Sequence, residues 1–370
     1  MNLTLSDEQQ ELFRTVAGFL DKHSPEPEVR RLMEAGGAAD PAVWLKMAKQ
    51  LGLQGMTVPE EYGGGGFGFL DLALVLEAMG SVLLVAPFLS SVLAASALVG
   101  SDNESLKTAY LPGLVSGELV GTLAFAEDSG QWDVDSIEAR AEVDGDRYRL
   151  SGVKSFVVDG QYADFLVVSA RSSDEAALFV VDAGTSGVTV TPLRTLDATR
   201  PQARVELDGA LGRALSSAAD GGGLVQRTLA TAGIALAAEQ VGGAQRCLDM
   251  AVAYAKVRVQ FGKPIGSFQA IKHKCADMLL EVESARSAAY YAAGALDDGS
   301  EDLGIASALA QAHCSAAYTK VAGENIQIHG GIGFTWDHPA HLYFKRAKSS
   351  EMLFGDPATQ RERLARLVGI

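Results

Sequence analysis

The chain has 370 residues, of which 48% are hydrophobic, so it is long enough to fill two or three separate cores. Its 46 acidic and 31 basic residues give a net charge of −15, and no basic stripe is present of the kind that binds a phosphate backbone. Apolar runs of about 18 residues are also lacking. We therefore expect no nucleic-acid partner and no membrane span. Three widely spaced cysteines form neither a disulfide framework nor a metal motif, which predicts a reducing, cytoplasmic setting.

The first part of the chain has helical periodicity. Ser6 and Gln9 form a capping-box pattern in front of the run DEQQELFRTVAGFLDKH, and helical patterns continue to about residue 117. Gly63, Gly65 and Gly68 have the spacing of a dinucleotide-binding loop, but only MTV and PEE precede them instead of a strand. We therefore predict a helical domain over residues 1–118, with a glycine-rich turn between two of its helices.

The pattern then changes twice. Short β-type runs such as GTLAFA, KSFVVDG, DFLVVSA and ARVELDG, separated by turn residues, predict a compact β domain over residues 119–213. After SSAADGGG, long alanine-rich stretches with helical periodicity return. These stretches predict a four-helix bundle within residues 214–370.

Two motifs in the last third of the chain carry polar groups suited to a ligand. The first is residues 258–269, RVQFGKPIGSFQ, which contain a guanidinium, two side-chain amides and a tight turn. These groups can bind a phosphorylated, nucleotide-like ligand. The alternative is a helix end with a basic residue in its last turn and a glycine stop. His338 and His341 have no third metal ligand nearby, so we predict ordinary surface or packing histidines.

The α-β-α order, together with RVQFGKPIGSFQAIKHKCADM and QIHGGIGFTWDHPAHLYFKRAK, closely resembles the acyl-CoA dehydrogenase family of flavoproteins. PEEYGG, residues 59–64, also looks like the first-domain signature of this family. The resemblance covers essentially the whole chain. It implies an α+β fold with an N-terminal helical domain, a central β-barrel-like domain and a C-terminal four-helix bundle. It also implies FAD, the oxidation of an acyl-CoA substrate to its 2,3-enoyl form, and an electron-transfer flavoprotein as acceptor.

In this family the FAD lies across a subunit interface, and the resemblance assigns its contacts by position. Arg258 matches the arginine that meets the pyrophosphate, and Gln269 matches the glutamine at the adenine end. Gln260 and Phe261 match the positions beside this arginine. Gln327, Gly330 and Gly331 match a Q-x-x-G-G turn whose small residues let backbone amides approach the cofactor. This chain therefore keeps the half of the FAD site that it would lend to a neighbour.

The half of the site in the β domain departs from the family pattern. Where members carry T-E-P-x-x-G-S-D, this chain has FAEDSGQWD at residues 125–133. KSFVVDG stands in place of K-x-W-x-x-N-G. Phe156 could still stack on the flavin ring, whereas Val158 has no donor to offer to it.

The usual catalytic bases are also absent. An ungapped match puts Phe354 at the place of the glutamate in Y-E-G-T, and Ala232 at the alternative base position on the first bundle helix. Neither side chain can accept a proton. Glu239, which lies about 10 Å farther along the same helix face, Glu351 and Asp356 are the candidate substitutes. We expect Glu351 to be solvated and Asp356 to cap or turn the chain.

Two functions remain open from the sequence. In the first, the chain resembles the non-catalytic subunit of heterotetrameric acyl-CoA dehydrogenases that degrade sterol side chains in actinobacteria, and it donates FAD contacts to a second subunit. In the second, it is a self-sufficient homo-oligomer, expected to be a tetramer, with an atypical base. We favour the first because the losses fall in one half of the site while the other half survives. A scaffold without flavin contact is disfavoured by Arg258, Gln269 and Gln327.

Overall fold

The computed structural model describes residues 5–216 and 221–370. The contacts divide the chain into two compact units. The first unit comprises Met1–Arg31, Phe69–Leu84 and Gly233–Ile370, and the second comprises Leu32–Gly68 and Val85–Ala232. Each unit therefore draws on separate stretches of the chain. The division at residues 118 and 213 stays a prediction.

The α-helices come before and after a β-rich middle part. Those before it are α1 (Asp7–His23), α2 (Glu26–Glu34), α3 (Pro41–Leu51), α4 (Phe69–Ser81), α5 (Phe88–Val99) and α6 (Glu104–Ser116). The capping box predicted for the first helix is confirmed, because the Ser6 hydroxyl accepts from the Gln9 amide at 3.2 Å and Gln9 Oε1 accepts from the Ser6 amide at 3.1 Å. None of the helices in the described ranges is long and apolar enough to cross a bilayer.

The glycine-rich segment is a turn between helices, as predicted. It follows a single 3₁₀ turn, Glu60–Tyr62, and Gly63 has a left-handed φ of 86°. A Cβ at Gly64 would lie only 2.0 Å from the carbonyl oxygen of Val58, so the turn folds back tightly on the chain before it. Within the described residues the first strand begins later, at Gly121, so a strand-loop-helix nucleotide site does not form here.

The β-rich middle part closes into a barrel. Its strands are β1 (Gly121–Ala124), β2 (Arg140–Asp144), β3 (Arg147–Val158), β4 (Phe165–Ser172), β5 (Glu175–Asp182), β6 (Val188–Pro192) and β7 (Gln202–Ala214). Neighbouring strands pair in the order β4, β2, β3, β7 and β5, and β5 pairs with β4 again, which completes the ring. Strands β1 and β6 pair with β4 and β7 respectively. The barrel core is built from inward apolar side chains such as Leu150, Val168 and Phe179.

A buried ion pair lies within this barrel. Lys154 is fully buried, and its Nζ donates to the carbonyl of Phe125 at 3.0 Å, to Ser169 Oγ at 3.0 Å and to Glu127 Oε1 at 2.8 Å. Burial lowers the pKa of Lys154 to about 8, although Glu127 opposes this shift. Burial alone would raise the pKa of Glu127, but the ammonium of Lys154 and the backbone amide of Ala139 outweigh it and hold that pKa below its usual value.

The remaining helices form the C-terminal bundle. They are α7 (Gly221–Val257), α8 (Gln269–Asp297), α9 (Leu303–His329), α10 (Ala340–Met352) and α11 (Pro357–Leu367). Two short strands, β8 (Val259–Gln260) and β9 (Lys263–Pro264), form a hairpin between α7 and α8. Helix α4 packs against α7 at glycines, since a Cβ at Gly80 or Gly242 would lie 2.0 Å or 1.8 Å from a carbonyl oxygen of the facing helix. The fold is thus α+β, with the helical, barrel and bundle parts expected from the sequence.

Replacing Lys154 tests the buried ion pair. We expect Lys154→Met to lower the free energy of unfolding by about 3–5 kcal/mol, because it leaves the Glu127 carboxylate partly buried without its cation. Lys154→Met combined with Glu127→Gln should recover part of this loss, and Lys49→Met, at an exposed lysine of α3, is the matched control. Chemical denaturation monitored by circular dichroism measures the difference.

The same pair has a defined pH dependence. The pKa of Glu127 is lower in the folded chain than in the unfolded chain, where it has its ordinary value of 4.5. Its stabilising contribution is therefore complete above that value and is lost as the pH falls through the lowered pKa. A stability difference between wild type and the double variant that stays constant into the acid range would contradict the ion pair.

Candidate functional site

The first predicted motif lies at the end of α7 and in the hairpin that follows it. Arg258 is exposed, directly after the last residue of α7. Phe261 and Gly262 form the two-residue turn of the hairpin, and both have left-handed φ values, 52° and 78°. The Phe261 side chain is 92% exposed. An aromatic residue held in this strained conformation in solvent is unusual, and such strain is typical of functional positions.

The second predicted motif lies at the end of α9. Gln327 is exposed in the last turn of the helix, and Gly330 ends it with φ 64° and ψ −140°, a conformation restricted almost entirely to glycine. At both Gly330 and Gly331, no atom lies within 4 Å of the place where a Cβ would be. The backbone of this turn is therefore open to a ligand that approaches closely.

Aromatic stacking brings the two motifs together. Tyr254, one turn before Arg258, stacks on His329 of the second motif, with ring centroids 4.4 Å apart. The ring of His338 also packs on His329, with centroids 4.2 Å apart. His341 is buried against Trp336, and burial lowers its pKa to about 4. The packing role predicted for His338 and His341 agrees with these contacts. Within residues 5–216 and 221–370, no group of three or more His, Cys, Asp or Glu side chains could hold a metal ion.

We call residues 256–272 and 327–336 together the bundle-end surface. Its exposed basic side chains are Lys256, Arg258, Lys263 and Lys272. No acidic residue occurs in the sequence between Asp249 and Asp277, and none of the four cations forms an ion pair within the part of the chain that the structure describes. Free cations beside an open glycine backbone and amide side chains suit a diphosphate and its attached nucleoside. The bundle-end surface therefore fits one half of an FAD.

The turn at the start of the β domain is occupied by contacts within the chain. Glu127 is paired with Lys154. The next residue, Asp128, accepts from Arg204 Nε at 3.0 Å and from Arg204 Nη2 at 2.9 Å, and it also accepts from the Ser155 hydroxyl. Arg204 and Ser155 lower the pKa of Asp128. Both carboxylates of the turn are thus held by cations of the same domain.

The two other residues that the sequence singled out here offer little to a flavin ring. Phe156 is 37% exposed and has a left-handed φ of 58°, so its ring remains available for stacking. Val158 is buried, and its carbonyl accepts from the Thr122 hydroxyl at 2.6 Å. The β domain therefore presents an aromatic face without the side-chain donor that family members place near the ring.

Both predicted base positions are apolar and buried. Phe354 is 5% exposed and has a left-handed φ of 59°. Two glutamines hold its loop: Gln311 Nε2 donates to the carbonyls of Leu353 and Gly355 at 2.8 Å and 3.1 Å, and Gln360 Nε2 donates to that of Phe354 at 2.7 Å. Ala232 is fully buried in α7. The loop is thus firmly fixed, but neither position carries a proton acceptor.

The three substitute carboxylates are already engaged elsewhere. Glu239 forms a buried ion pair with Arg346 at 2.7 Å. Asp356 caps α11 by accepting from the Thr359 amide at 2.7 Å, which lowers its pKa, so the predicted capping role agrees with the structure. The expectation that Glu351 is solvated needs correction, because its side chain is only 18% exposed and is paired with Lys348. None of the three is a free base.

Sequence reasoning missed three of the contacts that define this site. The pairs Lys154–Glu127 and Glu239–Arg346 and the clamp by Gln311 join residues that are far apart in the sequence. The only signal was the presence of a lysine, a glutamate and a glutamine inside otherwise apolar runs. Polar side chains buried in such runs need partners, but the pattern does not say which ones.

Comparison with known proteins matches each part of the chain to one family. Family models for the N-terminal, middle and C-terminal domains of acyl-CoA dehydrogenases match residues 6–118, 122–210 and 219–369. The chain is 36% identical to the acyl-CoA dehydrogenase IpdE2 of Mycolicibacterium smegmatis over 97% of this chain and 98% of that protein. It is 33% identical to the acyl-CoA dehydrogenase FadE27 of Mycobacterium tuberculosis over 99% of this chain and 98% of that protein.

Solved structures agree with this assignment. The Tcur3481-Tcur3483 steroid ACAD variant superposes with a TM-score of 0.92 at 32% identity, and covers 99% of this chain and 98% of its own. The ChsE4-ChsE5 complex from Mycobacterium tuberculosis superposes with a TM-score of 0.92 at 31% identity over the whole of both chains. With three matching domain models and full-length relatives, this chain belongs to the acyl-CoA dehydrogenase family of FAD-dependent oxidoreductases.

Proposed function

We propose that this chain is the subunit of a heteromeric acyl-CoA dehydrogenase that contributes FAD contacts without catalysing the reaction itself. A second family subunit holds the flavin ring, the acyl-CoA and the catalytic carboxylate. FAD held between the two subunits would supply the hydride acceptor for oxidation of the acyl-CoA, and the carboxylate that removes the α-proton would come from the second subunit. In this arrangement Arg258 would bind the diphosphate of the FAD, and Gln269 would bind its adenosine end.

One observation carries the proposal: the loop at the position of the missing base is fixed by hydrogen bonds but carries an apolar side chain. Phe354 has a left-handed backbone conformation, and the side chains of Gln311 and Gln360 hydrogen-bond to carbonyls of its loop. A phenyl ring at this point cannot remove a proton. Meanwhile the bundle-end surface keeps its free cations and its open glycine turn. The chain has lost catalytic chemistry and kept binding chemistry.

The alternative is a self-sufficient homo-oligomer with an unusual base. It requires Glu239, Glu351 or Asp356 to leave its present partner, and for Glu239 that means breaking a buried ion pair with Arg346. Removing one partner of such a pair costs about 3–5 kcal/mol. Asp356, which is half-buried, would have to give up its cap on the Thr359 amide. The heteromeric role requires none of these rearrangements.

Several features of the proposed setting come by analogy. The ChsE4-ChsE5 structure is a complex of two differently named chains, and the Tcur3481-Tcur3483 structure is called a steroid ACAD. These names support a partner subunit and a sterol-type acyl-CoA substrate for this chain. An electron-transfer flavoprotein as acceptor and a cytoplasmic location follow from the family resemblance and the sequence.

Binding of FAD fragments tests the half-site without any partner. The purified chain should bind ADP, which carries the diphosphate and adenosine, more tightly than FMN, which carries the flavin ring. Arg258→Ala should weaken ADP binding by about 1.5–3 kcal/mol, the range for a hydrogen bond to a charged group. Arg14→Ala, at an exposed arginine of α1, is the control. Titration calorimetry that finds equal ADP affinity for Arg258→Ala and wild type would leave Arg258 as a helix-end charge.

Turnover by the chain alone tests the missing base. We expect at most a trace of acyl-CoA dehydrogenation with an artificial electron acceptor, because a positioned base contributes about 10²–10⁴-fold. Phe354→Glu should not restore activity, since Val158 and the occupied turn at residues 126–130 would still leave the flavin ring unsupported. Robust turnover that disappears in Glu351→Gln or Asp356→Asn would refute the non-catalytic role and identify the base.

A further inference from the structure

We propose that a cavity at the junction of α1, α4, α7 and α10 binds a small zwitterion with an apolar side chain, of the α-amino acid class. The cavity has a volume of about 350 Å³, which suits a small molecule. It is bounded by the end of α1 and the start of α2, by the end of α4, by the middle of α7 and by the start of α10. All these parts belong to the first compact unit. This inference does not rest on the proposed function.

The cavity is separate from the sites described above. Arg246, which lines it, precedes Arg258 by 12 residues, or about 18 Å along α7. Leu342 lines it from the first turn of α10 and lies about 15 Å along that helix from Met352, beyond which the loop of Phe354 begins. A small ligand in this cavity therefore contacts neither the bundle-end surface nor the Phe354 loop.

Contacts between the helices fix the walls of the cavity. Helices α4 and α7 meet at glycines, and Glu77 of α4 accepts from Arg286 Nε at 3.1 Å and from the Tyr290 hydroxyl at 2.7 Å, both on α8. The Tyr343 hydroxyl of α10 donates to the Ser81 carbonyl at the end of α4 at 2.7 Å. These contacts join the walls to one another without a ligand, so the cavity is already formed in the free chain.

Opposite charges line this cavity without meeting each other. Arg246 of α7 and Asp21 of α1 both line it, and both are exposed to solvent. Neither forms an ion pair in the described part of the chain, so their charged groups lie more than 4.0 Å apart. Burial raises the pKa of Tyr343, and the charge and hydrogen bonding of Arg246 oppose this shift. The guanidinium therefore lies beside the Tyr343 hydroxyl, which marks the cationic side of the cavity.

A buried hydroxyl lies close to Asp21 in the chain. Ser24 lines the cavity, is only 5% exposed, and its hydroxyl has no hydrogen-bond partner among the residues that the structure describes. Buried polar groups normally have a partner, so this hydroxyl is available to a ligand. The carboxylate of Glu26, which pairs with Arg30 at 2.8 Å, adds negative charge to the same wall.

The helix ends add partial charges of matching sign. Helix α1 ends at the cavity beside Asp21 and Ser24, and a helix C-terminus carries partial negative charge. Helix α4 also ends there, but its last carbonyl already accepts from the Tyr343 hydroxyl. Helix α10 begins at the cavity, and a helix N-terminus carries partial positive charge. An ammonium group is thus favoured at the end of α1, and a carboxylate is favoured beside Arg246.

These charges determine the chemical class of the ligand. A pure anion would face Asp21 and Glu26, and a pure cation would face Arg246, so each would leave one charged wall unmatched. A zwitterion matches both walls. Apolar side chains complete the lining, and they include Val29 and Leu342, each only 2% exposed. They suit a branched aliphatic side chain such as that of leucine.

Binding of L-leucine and two analogues by the full chain tests this directly. In titrations followed by saturation-transfer NMR, L-leucine should bind saturably with a Kd of about 1 mM or lower. 4-Methylpentanoate lacks the ammonium group and 3-methylbutylamine lacks the carboxylate, and each should bind about tenfold more weakly or worse. All three ligands have the same apolar side chain, so the differences measure the contribution of the charges.

Variants assign each charge of the ligand to a wall of the cavity. Arg246→Gln should weaken leucine binding by about tenfold or more without weakening that of 3-methylbutylamine, and Arg246→Lys should keep part of the affinity. Asp21→Asn should weaken leucine binding without weakening that of 4-methylpentanoate. Ser24→Ala, which changes no charge, should weaken leucine and 3-methylbutylamine alike. Lys22→Gln and Asp277→Asn, at exposed residues that do not line the cavity, are the matched controls.

Absence of saturable leucine binding at concentrations about tenfold above the expected Kd would overturn the proposal, since Arg246 and Asp21 would then be solvated surface charges. Equal affinity for leucine and 4-methylpentanoate, unaffected by Asp21→Asn, would also overturn it, because the cavity would then bind anions only. Leucine binding that is the same in wild type, Arg246→Gln and Asp21→Asn would place the ligand elsewhere and would contradict the assignment.

Discussion

The stacking of Tyr254 on His329 is the contact on which the candidate cofactor site depends. It holds the end of α7 beside the end of α9, and so it places Arg258 and the Gly330 turn at one end of the bundle. The two motifs are about 70 residues apart in the sequence, and each alone reads as an ordinary helix terminus. Joined, they present free cations, amides and an open backbone to the same ligand. The groups at this end of the chain suit a phosphorylated nucleotide.

The loop at Phe354 has a well-defined conformation, although its side chain is apolar. Phe354 has a left-handed φ of 59° and Gly355 one of 102°, and both peptide groups are held by glutamine side chains. A non-glycine residue in this region costs about 1–3 kcal/mol, which the surrounding hydrogen bonds must offset. In the β domain, Glu127 and Asp128 are paired with Lys154 and Arg204.

Much of the fold could be predicted from the sequence because its signals are local. The capping box at Ser6, the glycine-rich turn and the change from helical to strand periodicity each involve neighbouring residues. The family motifs then identified where Arg258 and Phe354 lie. The sequence did not reveal that Glu239 and Glu351 are paired with Arg346 and Lys348, since no alignment rule specifies the partner of a charged side chain. The charge contrast of the bundle-end surface needed both sequence and structure, because it depends on which cations lack a partner.

The flavin content of the chain purified alone tests the central claim most directly. FAD released by denaturation and measured by absorbance, together with the mass of the particle in solution, gives the number of cofactors per chain. A subunit that keeps only the contacts it lends to a neighbour should contain far less than one FAD per chain, and it should gain flavin only when a flavin-holding subunit is produced with it. A stable homotetramer with one FAD per chain would contradict the account.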